Sequence, residues 1–184
     1  CNQNYKRLFY CRYADDFLIG VIGSQEDALA IKEQFKEFLG KALHLEMSDE
    51  KTKITHGTDK ARFLGYDITT SKNSALMYDK KHQLRKTHTG VIKLYAPRDK
   101  WQRKLMEYGA LSIRYGEDGK EIWDSKHRGN MVHMTDVEIV STVNAEIRGM
   151  YNYYSIANNA TVIKNFAFIL EYSMYKTFGL KYRK

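Results

Sequence analysis

Apolar and aromatic residues fill two short runs near the start of the chain. The runs cover Arg7–Tyr13 and Phe17–Val21, and only Ala14, Asp15 and Asp16 separate them. This spacing is typical of a β-hairpin, because strands that pair directly need only a tight turn between them. The pattern therefore predicts a hairpin with the two aspartates at its tip.

The hydrophobic spacing then changes from that of a strand to that of a helix. Ser24 is a suitable N-cap, and Asp27 follows three residues later, as in a capping box. We expect the helix to fray at Gly40. Its predicted apolar face consists of Ala28, Ile31, Phe35, Phe38 and Leu39.

Short apolar runs beyond this helix predict further strands. The polar segment Ser71–Ser74 predicts a turn between two of them. The expected strands cover Leu43–Met47, Thr52–His56, Phe63–Thr70, Ala75–Tyr78 and Val91–Tyr95.

The second half of the chain has mainly helical spacing. A helix over Arg98–Ser112 follows the only proline and places Trp101, Leu105 and Tyr108 on one face. A final amphipathic helix is predicted over Thr161–Phe178. A first half that mixes strands with one helix, followed by a mostly helical second half, predicts an α+β fold.

Between these helices, Thr135 and Glu138 predict a capping box at the start of a long helix. Its apolar stripe places Tyr151 and Tyr154 in the core, whereas Arg148 and Tyr153 fall outside it. The full stripe is Val137, Val140, Asn144, Ile147 and Tyr151, with Val143, Met150 and Tyr154 beside it.

Positive charge is concentrated in the second half. The 184 residues include 30 basic and 22 acidic side chains, a formal net charge of +8. Residues 1–79 carry 11 basic and 12 acidic side chains, whereas residues 80–184 carry 19 and 10. The segment Lys80–Lys104 has nine basic side chains against Asp99 alone. Nucleic acid is the natural partner of such a segment, and a merely solvated surface is the alternative.

The sequence excludes several classes of protein. No apolar run approaches the roughly 20 residues of a membrane span, and we expect a cytoplasmic location. Cys1 and Cys11 cannot form a disulfide framework, and neither belongs to a closely spaced pair typical of zinc sites. Because the chain starts at Cys1 rather than at methionine, we expect it to be part of a longer protein.

Asp15 and Asp16 are the strongest candidates for chemistry. Adjacent carboxylates between apolar strands repel each other unless a cation lies near them, and oxygen ligands suit Mg²⁺, which also binds substrate phosphates. A two-metal phosphoryl-transfer site uses such carboxylates. The alternative is an ordinary hairpin turn, in which aspartate is common.

Four motifs in consecutive order resemble those of group II intron-encoded reverse transcriptase–maturases, especially the bacterial, lactococcal lineage. RYADDF at 12–17 is similar to motif C, the palm hairpin with metal-binding aspartates. SDEKT at 48–52 is similar to motif D, and ARFLGY at 61–66 to the primer grip. IRGMYNYYS at 147–155 is similar to the maturase-specific element.

This resemblance implies a fold and a function. Residues 1–90 would be the C-terminal part of a reverse-transcriptase palm, with antiparallel strands and a helix. Residues 91–184 would be a helical thumb or X domain. The parent protein would be an RNA-directed DNA polymerase and splicing maturase that binds group II intron RNA and copies it into DNA. Its cofactor would be Mg²⁺, and its further partners a DNA primer or target and dNTPs.

The resemblance also implies roles for single residues. Asp15 and Asp16 would be catalytic and bind the metal, and Lys51 would protonate the pyrophosphate leaving group. Lys51 as a plain surface lysine is the alternative. The primer's 3′ end would be placed by Phe63, Leu64 and Gly65, which are also consistent with a simple buried strand.

RNA contact is expected from basic side chains and from one exposed aromatic ring, because rings stack on unpaired bases and cations bind phosphates. The predicted nucleic-acid-binding residues are Lys80, Lys81, Arg85, Lys86, Arg98, Lys100, Arg103, Lys104, Arg148 and Tyr153.

The third metal-binding aspartate of reverse transcriptases, in motif A, has no counterpart in this chain. We therefore expect the isolated chain not to polymerise, and to self-associate through apolar sheet surface. An RNA-binding module without polymerase activity is the alternative function. A nucleotide cyclase, which also carries paired carboxylates on a hairpin, fits less well because cyclases lack a basic helical thumb.

Overall fold

The computed structural model describes residues 5–71, 76–78, 80–86 and 90–183, without the side chains of Arg85 and Lys86. Helices and short antiparallel strands both occur in it, and the predicted α+β class is confirmed. The chain divides into two compact units. Unit one consists of residues 1–64 and 69–89, and unit two of residues 65–68 and 90–184.

Unit one is built on the predicted hairpin. Strands β1 (Arg7–Tyr13) and β2 (Asp16–Ile22) pair antiparallel, and Tyr13 pairs with Asp16 next to the turn. Helix α1 (Gln25–Leu43) packs on this hairpin through Phe35. The ring of Phe35 lies 4.7 Å from that of Phe17 and 6.2 Å from that of Tyr10.

The predicted capping box at the start of α1 is confirmed. The Ser24 hydroxyl accepts the Asp27 N–H, and the Asp27 carboxylate accepts the Ser24 N–H. Hydrogen bonds from Lys6 and Ser24 lower the pKa of Asp27 to about 2. The charged carboxylate also suits the positive end of the helix.

Helix α1 continues past Gly40, so the prediction that it frays there is wrong. It ends at Leu43, where His44 takes a left-handed conformation with φ 53° and the following Leu45 donates its N–H to the Leu39 carbonyl at 3.0 Å. This cap uses residues that were expected to begin the strand Leu43–Met47. That strand is therefore absent.

Residues 44–60, all of them described, contain no strand, so the prediction for Thr52–His56 is also wrong. The backbone of this segment bonds elsewhere. The Thr52 carbonyl accepts a hydrogen bond from Lys32 of α1 at 3.0 Å, and the Gly57 carbonyl accepts the Thr70 N–H at 2.7 Å. Isolated hydrogen bonds of this kind hold a loop in place, but they do not form the repeated backbone hydrogen bonds of a β-sheet.

The expected strand Phe63–Thr70 is interrupted in its middle. Strand β3 (Ala61–Phe63) ends before Leu64, and β4 (Tyr66–Thr70) begins after Gly65. Both intervening residues have positive φ, 47° for Leu64 and 73° for Gly65, which turns the chain. Residues 72–75, from the predicted turn and the next strand, lie outside the described residues. Strands β5 (Leu76–Tyr78) and β6 (Leu84–Lys86) then pair antiparallel.

Unit two is mostly helical. Strand β7 (Ile92–Tyr95) lies beside β4. Its α-helices and other strands are α2 (Arg98–Glu107), β8 (Leu111–Tyr115), β9 (Glu121–Ser125), α3 (Asp136–Tyr154) and α4 (Ile163–Lys181). The main core of the unit is formed by Trp101, Leu105, Ala110, Leu111, Val143, Phe166 and Leu170.

Helix α2 is shorter than predicted, although its buried face of Trp101 and Leu105 is confirmed. A Schellman motif ends it. Gly109 has φ 69°, its N–H bonds to the Met106 carbonyl, and the Ala110 N–H bonds to the Leu105 carbonyl. The chain then enters the hairpin β8–β9, which the hydrophobic spacing did not predict.

The capping box of Thr135 and Glu138 at the start of α3 is confirmed, but the predicted apolar stripe is shifted. Ile139, Val143 and Tyr154 are buried, whereas Tyr151 is 56% exposed. The expectation that Tyr151 belongs to the core is therefore wrong. Apolar residues occur on more than one side of α3, and packing against α4 selects the buried side.

A buried ion pair joins the loop before α3 to α3 itself. Arg128 donates two hydrogen bonds to the Glu146 carboxylate, at 2.7 and 2.9 Å, and the two side chains are 7% and 13% exposed. The Arg128 N–H also bonds to the Thr177 hydroxyl of α4 at 2.8 Å. One loop residue thus connects two helices.

None of the described residues of unit one is fully buried. Leu8, Phe9 and Tyr10 of β1 are each about half exposed. Unit one therefore exposes apolar side chains on its sheet. The expected self-association of the chain would require such a surface. Among the described residues, no helix has the length and apolar character needed to cross a membrane.

Replacing Glu146 by alanine should reduce the free energy of unfolding by about 3–5 kcal/mol, because it leaves the Arg128 guanidinium buried and unpaired. The double variant Arg128→Met, Glu146→Leu should lose less, because neither charge remains. Urea unfolding followed by circular dichroism measures both. An Arg114→Ala control breaks an exposed pair with Asp124 and should cost less than about 1 kcal/mol. Equal losses in the single and double variants would contradict the prediction.

Candidate functional site

One candidate site, in unit one, is the tip of the β1–β2 hairpin. Ala14 and Asp15 form its turn, and Asp16 begins β2. Ala14 has φ 51°, a conformation that favours glycine, and its carbonyl accepts a 2.6 Å hydrogen bond from Arg12 Nε. A non-glycine residue held in this region stores strain, and such strain is concentrated at functional sites. The turn presents both aspartates to solvent.

The donor chemistry of this turn fits part of a magnesium site. Asp15 and Asp16 offer carboxylate oxygens, the hard ligands that Mg²⁺ prefers. The described residues contain no cluster of three or more histidine, cysteine, aspartate or glutamate side chains suited to a metal. The pair would therefore supply some of the six oxygens, and the rest would come from water, substrate or other carboxylates.

Lys51 lies on a separate loop that helix α1 holds in place. The Thr52 N–H bonds to the Ser48 carbonyl at 3.0 Å, which closes one turn around Lys51. Asp49 of this turn accepts a 2.5 Å hydrogen bond from Lys36, and that bond lowers the pKa of Asp49. Lys51 itself is exposed, and among the described residues no hydrogen bond or ion pair joins it to Asp15 or Asp16.

The residues predicted to place the primer surround the Leu64–Gly65 turn. Phe63, Leu64 and Gly65 are half-buried. The Gly65 carbonyl accepts a 3.1 Å hydrogen bond from the Tyr154 hydroxyl of α3. The end of the maturase-like segment therefore contacts the turn directly.

Tyr66 is the centre of an aromatic cluster behind this turn. Its ring stacks on Tyr153 with centroids 5.5 Å apart and meets the edge of Tyr154 at 5.1 Å. Its hydroxyl donates a hydrogen bond to the Tyr153 carbonyl. Burial, followed by the neighbouring Tyr153, raises the pKa of Tyr66, so the hydroxyl stays protonated and able to donate.

Two asparagines that the sequence analysis did not single out complete this arrangement. Asn158 accepts the Leu94 N–H at 2.9 Å through its side chain and donates its own N–H to the Leu94 carbonyl at 2.8 Å. Asn159 bonds to both the N–H and the carbonyl of Ala96, at 2.7 and 3.1 Å. The pair bonds to the backbone of β7 at Leu94 and of Ala96 just after it, as a neighbouring strand would. An Asn-Asn dipeptide between two predicted helices was the available signal.

A groove of about 450 Å³ lies between α2 and α3 in unit two. Lys100, Arg103 and Lys104 line one side of it. Ala145 and Gly149 line the α3 side, where small side chains leave the groove open. The other lining residues are Glu107, Tyr108, Glu146, Met150, Tyr153 and Tyr154.

Acidic neighbours offset part of the charge in this groove. Glu107 accepts a 3.0 Å hydrogen bond from Lys104 and lies 3.7 Å from Arg103. The bond to Glu107 raises the pKa of Lys104, which stays charged at neutral pH. Lys100 has no ion pair among the described residues.

The predicted nucleic-acid-binding residues do not all come together. The groove collects Lys100, Arg103, Lys104 and Tyr153. Arg98 instead pairs with Glu121, and Arg148 is exposed on α3 but is not one of the described lining residues. Lys80 and Lys81 are exposed in unit one, and the side chains of Arg85 and Lys86 lie outside the description.

Comparison with known families decides which proteins this chain is related to. Residues 89–184 match the type II intron maturase family, and residues 1–68 match the reverse transcriptase (RNA-dependent DNA polymerase) family. The chain belongs to the type II intron maturase family. The resemblance drawn from the four motifs is thereby confirmed.

Individual relatives agree with this membership. The chain is 39% identical over 182 residues to the group II intron-encoded protein LtrA of Lactococcus lactis subsp. cremoris, across 99% of this chain and 30% of LtrA. It is 33% identical to the putative COX1/OXI3 intron 1 protein of Saccharomyces cerevisiae, across 99% of this chain and 22% of that protein. The chain thus spans less than a third of the length of these relatives.

The boundary of the reverse transcriptase match coincides with a structural feature of this maturase-family chain. The match ends at Ile68, where the segment 65–68 of unit two also ends. Residues that align with a reverse transcriptase therefore pack with the elements of the maturase match.

Replacing Gly65 by alanine should lower the free energy of unfolding by about 1–2 kcal/mol, the cost of a left-handed conformation for a residue with a Cβ. The new Cβ would also lie 3.2 Å from the Tyr153 hydroxyl oxygen. A matched control is Gly149→Ala, which lies inside α3 with open space around it and should gain about 0.5–1 kcal/mol. Urea unfolding tests both, and a neutral Gly65→Ala would refute the strained turn.

Proposed function

We propose that this chain is the C-terminal palm and thumb portion of an RNA-directed DNA polymerase and splicing maturase that binds group II intron RNA. The palm portion would cover residues 1–90 and the thumb or X portion residues 91–184. The observation that carries the polymerase half is the solvent-exposed hairpin tip, where the strained Ala14 precedes Asp15 and Asp16. Its residues resemble motif C and lie in a segment that matches the reverse transcriptase family.

The proposed chemistry assigns one task to each part of the chain. Asp15 and Asp16 would hold Mg²⁺, which stabilises the charge of the transferring phosphates when bound. Lys51 would donate a proton to the leaving pyrophosphate oxygen. Phe63, Leu64 and Gly65 would hold the primer terminus still for attack, since a reacting group must be held close to its productive geometry. Residues 1–184 alone would not polymerise, because two carboxylates do not complete a two-metal site.

The groove of unit two supports the RNA-binding half of the proposal. Three cations on one side suit phosphates, and the half-exposed Tyr153 ring offers a surface for a base to stack on. Because this groove does not involve Asp15 or Asp16, it also favours the second candidate, an RNA-binding module without polymerase activity.

Further partners follow from the proposed role. A DNA primer or target and dNTPs would bind to the full-length protein. The half-exposed apolar residues of β1 support self-association of the isolated chain. The expected cytoplasmic location would give the protein access to a bacterial transcript.

In the full-length protein, Asp15→Asn should reduce DNA synthesis by at least about a hundredfold and leave intron RNA binding within twofold. The carboxylate acts on transferring phosphates and not on RNA docking. Primer extension with Mg²⁺ and filter binding measure the two activities. Asp59→Asn, at an exposed loop aspartate, is the control and should change neither. Normal extension by Asp15→Asn would make Asp15 an ordinary turn residue.

Replacing Lys100, Arg103 and Lys104 together by alanine should flatten the salt dependence of RNA binding by up to about three phosphate contacts. On the duplex-DNA scale each contact contributes a log–log slope of roughly −0.9. The melting temperature should change little, because these side chains lie outside the Trp101–Leu105 face.

Filter binding across a range of salt concentrations, with the full-length protein, measures this slope. The matched control is the alanine variant of Lys120, Lys126 and Lys164, which removes the same charge from other exposed positions of unit two. An unchanged slope in the groove variant, or equal flattening in the control, would remove the groove from the RNA site.

A further inference from the structure

Hydrogen bonds run in both directions between helix α3 and Gly65–Tyr66, at the start of β4. Tyr154 of α3 donates to the Gly65 carbonyl at 3.1 Å, and Tyr66 donates to the Tyr153 carbonyl. The three rings contact one another, since Tyr153 also meets Tyr154 edge-on at 4.9 Å. The backbone around Gly65 is thus fixed from one helix end.

This fixation matters because the turn itself is strained. Leu64 and Gly65 are both left-handed, with φ 47° and 73°. A non-glycine residue such as Leu64 does not stay in that region unless neighbouring contacts hold it. The bond from Tyr154 is the contact that the structure describes for the Gly65 carbonyl.

Tyr154 is well suited to this role. Its side chain is buried, with 5% of the residue exposed, and it belongs to the small core of Tyr66, Ala96, Ala157 and Ile163. A buried hydroxyl in a packed site has few alternative partners, so its direction is fixed by the packing of the ring. Its hydrogen bond therefore transmits the position of α3 to the Gly65 carbonyl.

We propose that Tyr154 is a positioning residue for primer extension: it holds the Gly65 turn, and through it the primer terminus, from the maturase helix. The proposal rests on the function proposed above, in which Gly65 helps to place the primer. It adds that DNA synthesis depends on a side chain outside the reverse-transcriptase match, which ends at residue 68.

The test is Tyr154→Phe in the full-length protein, which removes the hydroxyl and keeps the ring. Single-turnover extension of a saturating primer–template gives a rate constant and an amplitude. The rate constant should fall about threefold to tenfold, because the primer terminus is less well placed. The amplitude, the melting temperature and intron RNA binding should remain within the range of the controls.

Tyr151→Phe is the matched control, because it removes a hydroxyl from an exposed ring of the same helix. It should leave the rate constant unchanged. A purely structural role of Tyr154 would lower the amplitude and the melting temperature while the rate constant of the surviving enzyme stayed normal, and this outcome would overturn the proposal.

Asp15→Asn, measured in the same assay, separates this proposal from the proposed function. If Asp15→Asn stops extension and Tyr154→Phe does not slow it, the positioning role is wrong and the polymerase assignment stands. If Asp15→Asn extends normally, the polymerase assignment itself fails.

Discussion

The hydrogen bonding of Tyr66 and Tyr154 is the constraint that joins residues 65–68 to the helices of unit two. A buried phenol must find an acceptor, and here each hydroxyl finds a backbone carbonyl of the other's segment, at Tyr153 and at Gly65. These bonds fix Gly65–Ile68 beside α3, and Asn158 and Asn159 fix β7 from the following loop. A short piece of strand is thereby built into a helical unit.

This arrangement places the two halves of the proposed function in adjoining sequence. The Asp15–Asp16 turn lies in unit one, and the basic groove lies in unit two. The segment that resembles the primer grip is covalently continuous with unit one, yet Gly65 and Tyr66 are held by unit two. The proposed role of Tyr154 follows from that division, since the helix that lines the groove also holds the turn.

Local signals predicted much of this fold. Both capping boxes, the hairpin around the aspartates and the Trp101–Leu105 face depend on residues close in sequence, and all are present. The predictions were wrong where contacts between residues far apart in sequence determine the local structure. The His44 cap and bonds from Lys32 replace two expected strands, and packing selects a side of α3 that excludes Tyr151. The Gly109 cap was visible in the sequence but was missed.

Native-state hydrogen exchange on the 1–184 chain tests most directly whether Gly65–Ile68 belongs to the helical unit. Amides open with the free energy of the cooperative unit that contains them. We expect the amides of β4 at Asp67 and Ile68 to exchange with the same opening free energy as the centre of α3. In Tyr154→Phe, these two amides should open more readily, whereas the centre of α3 keeps its opening free energy. Exchange of these amides together with β1 and β2, unaffected by that variant, would contradict the central role of the tyrosine contacts.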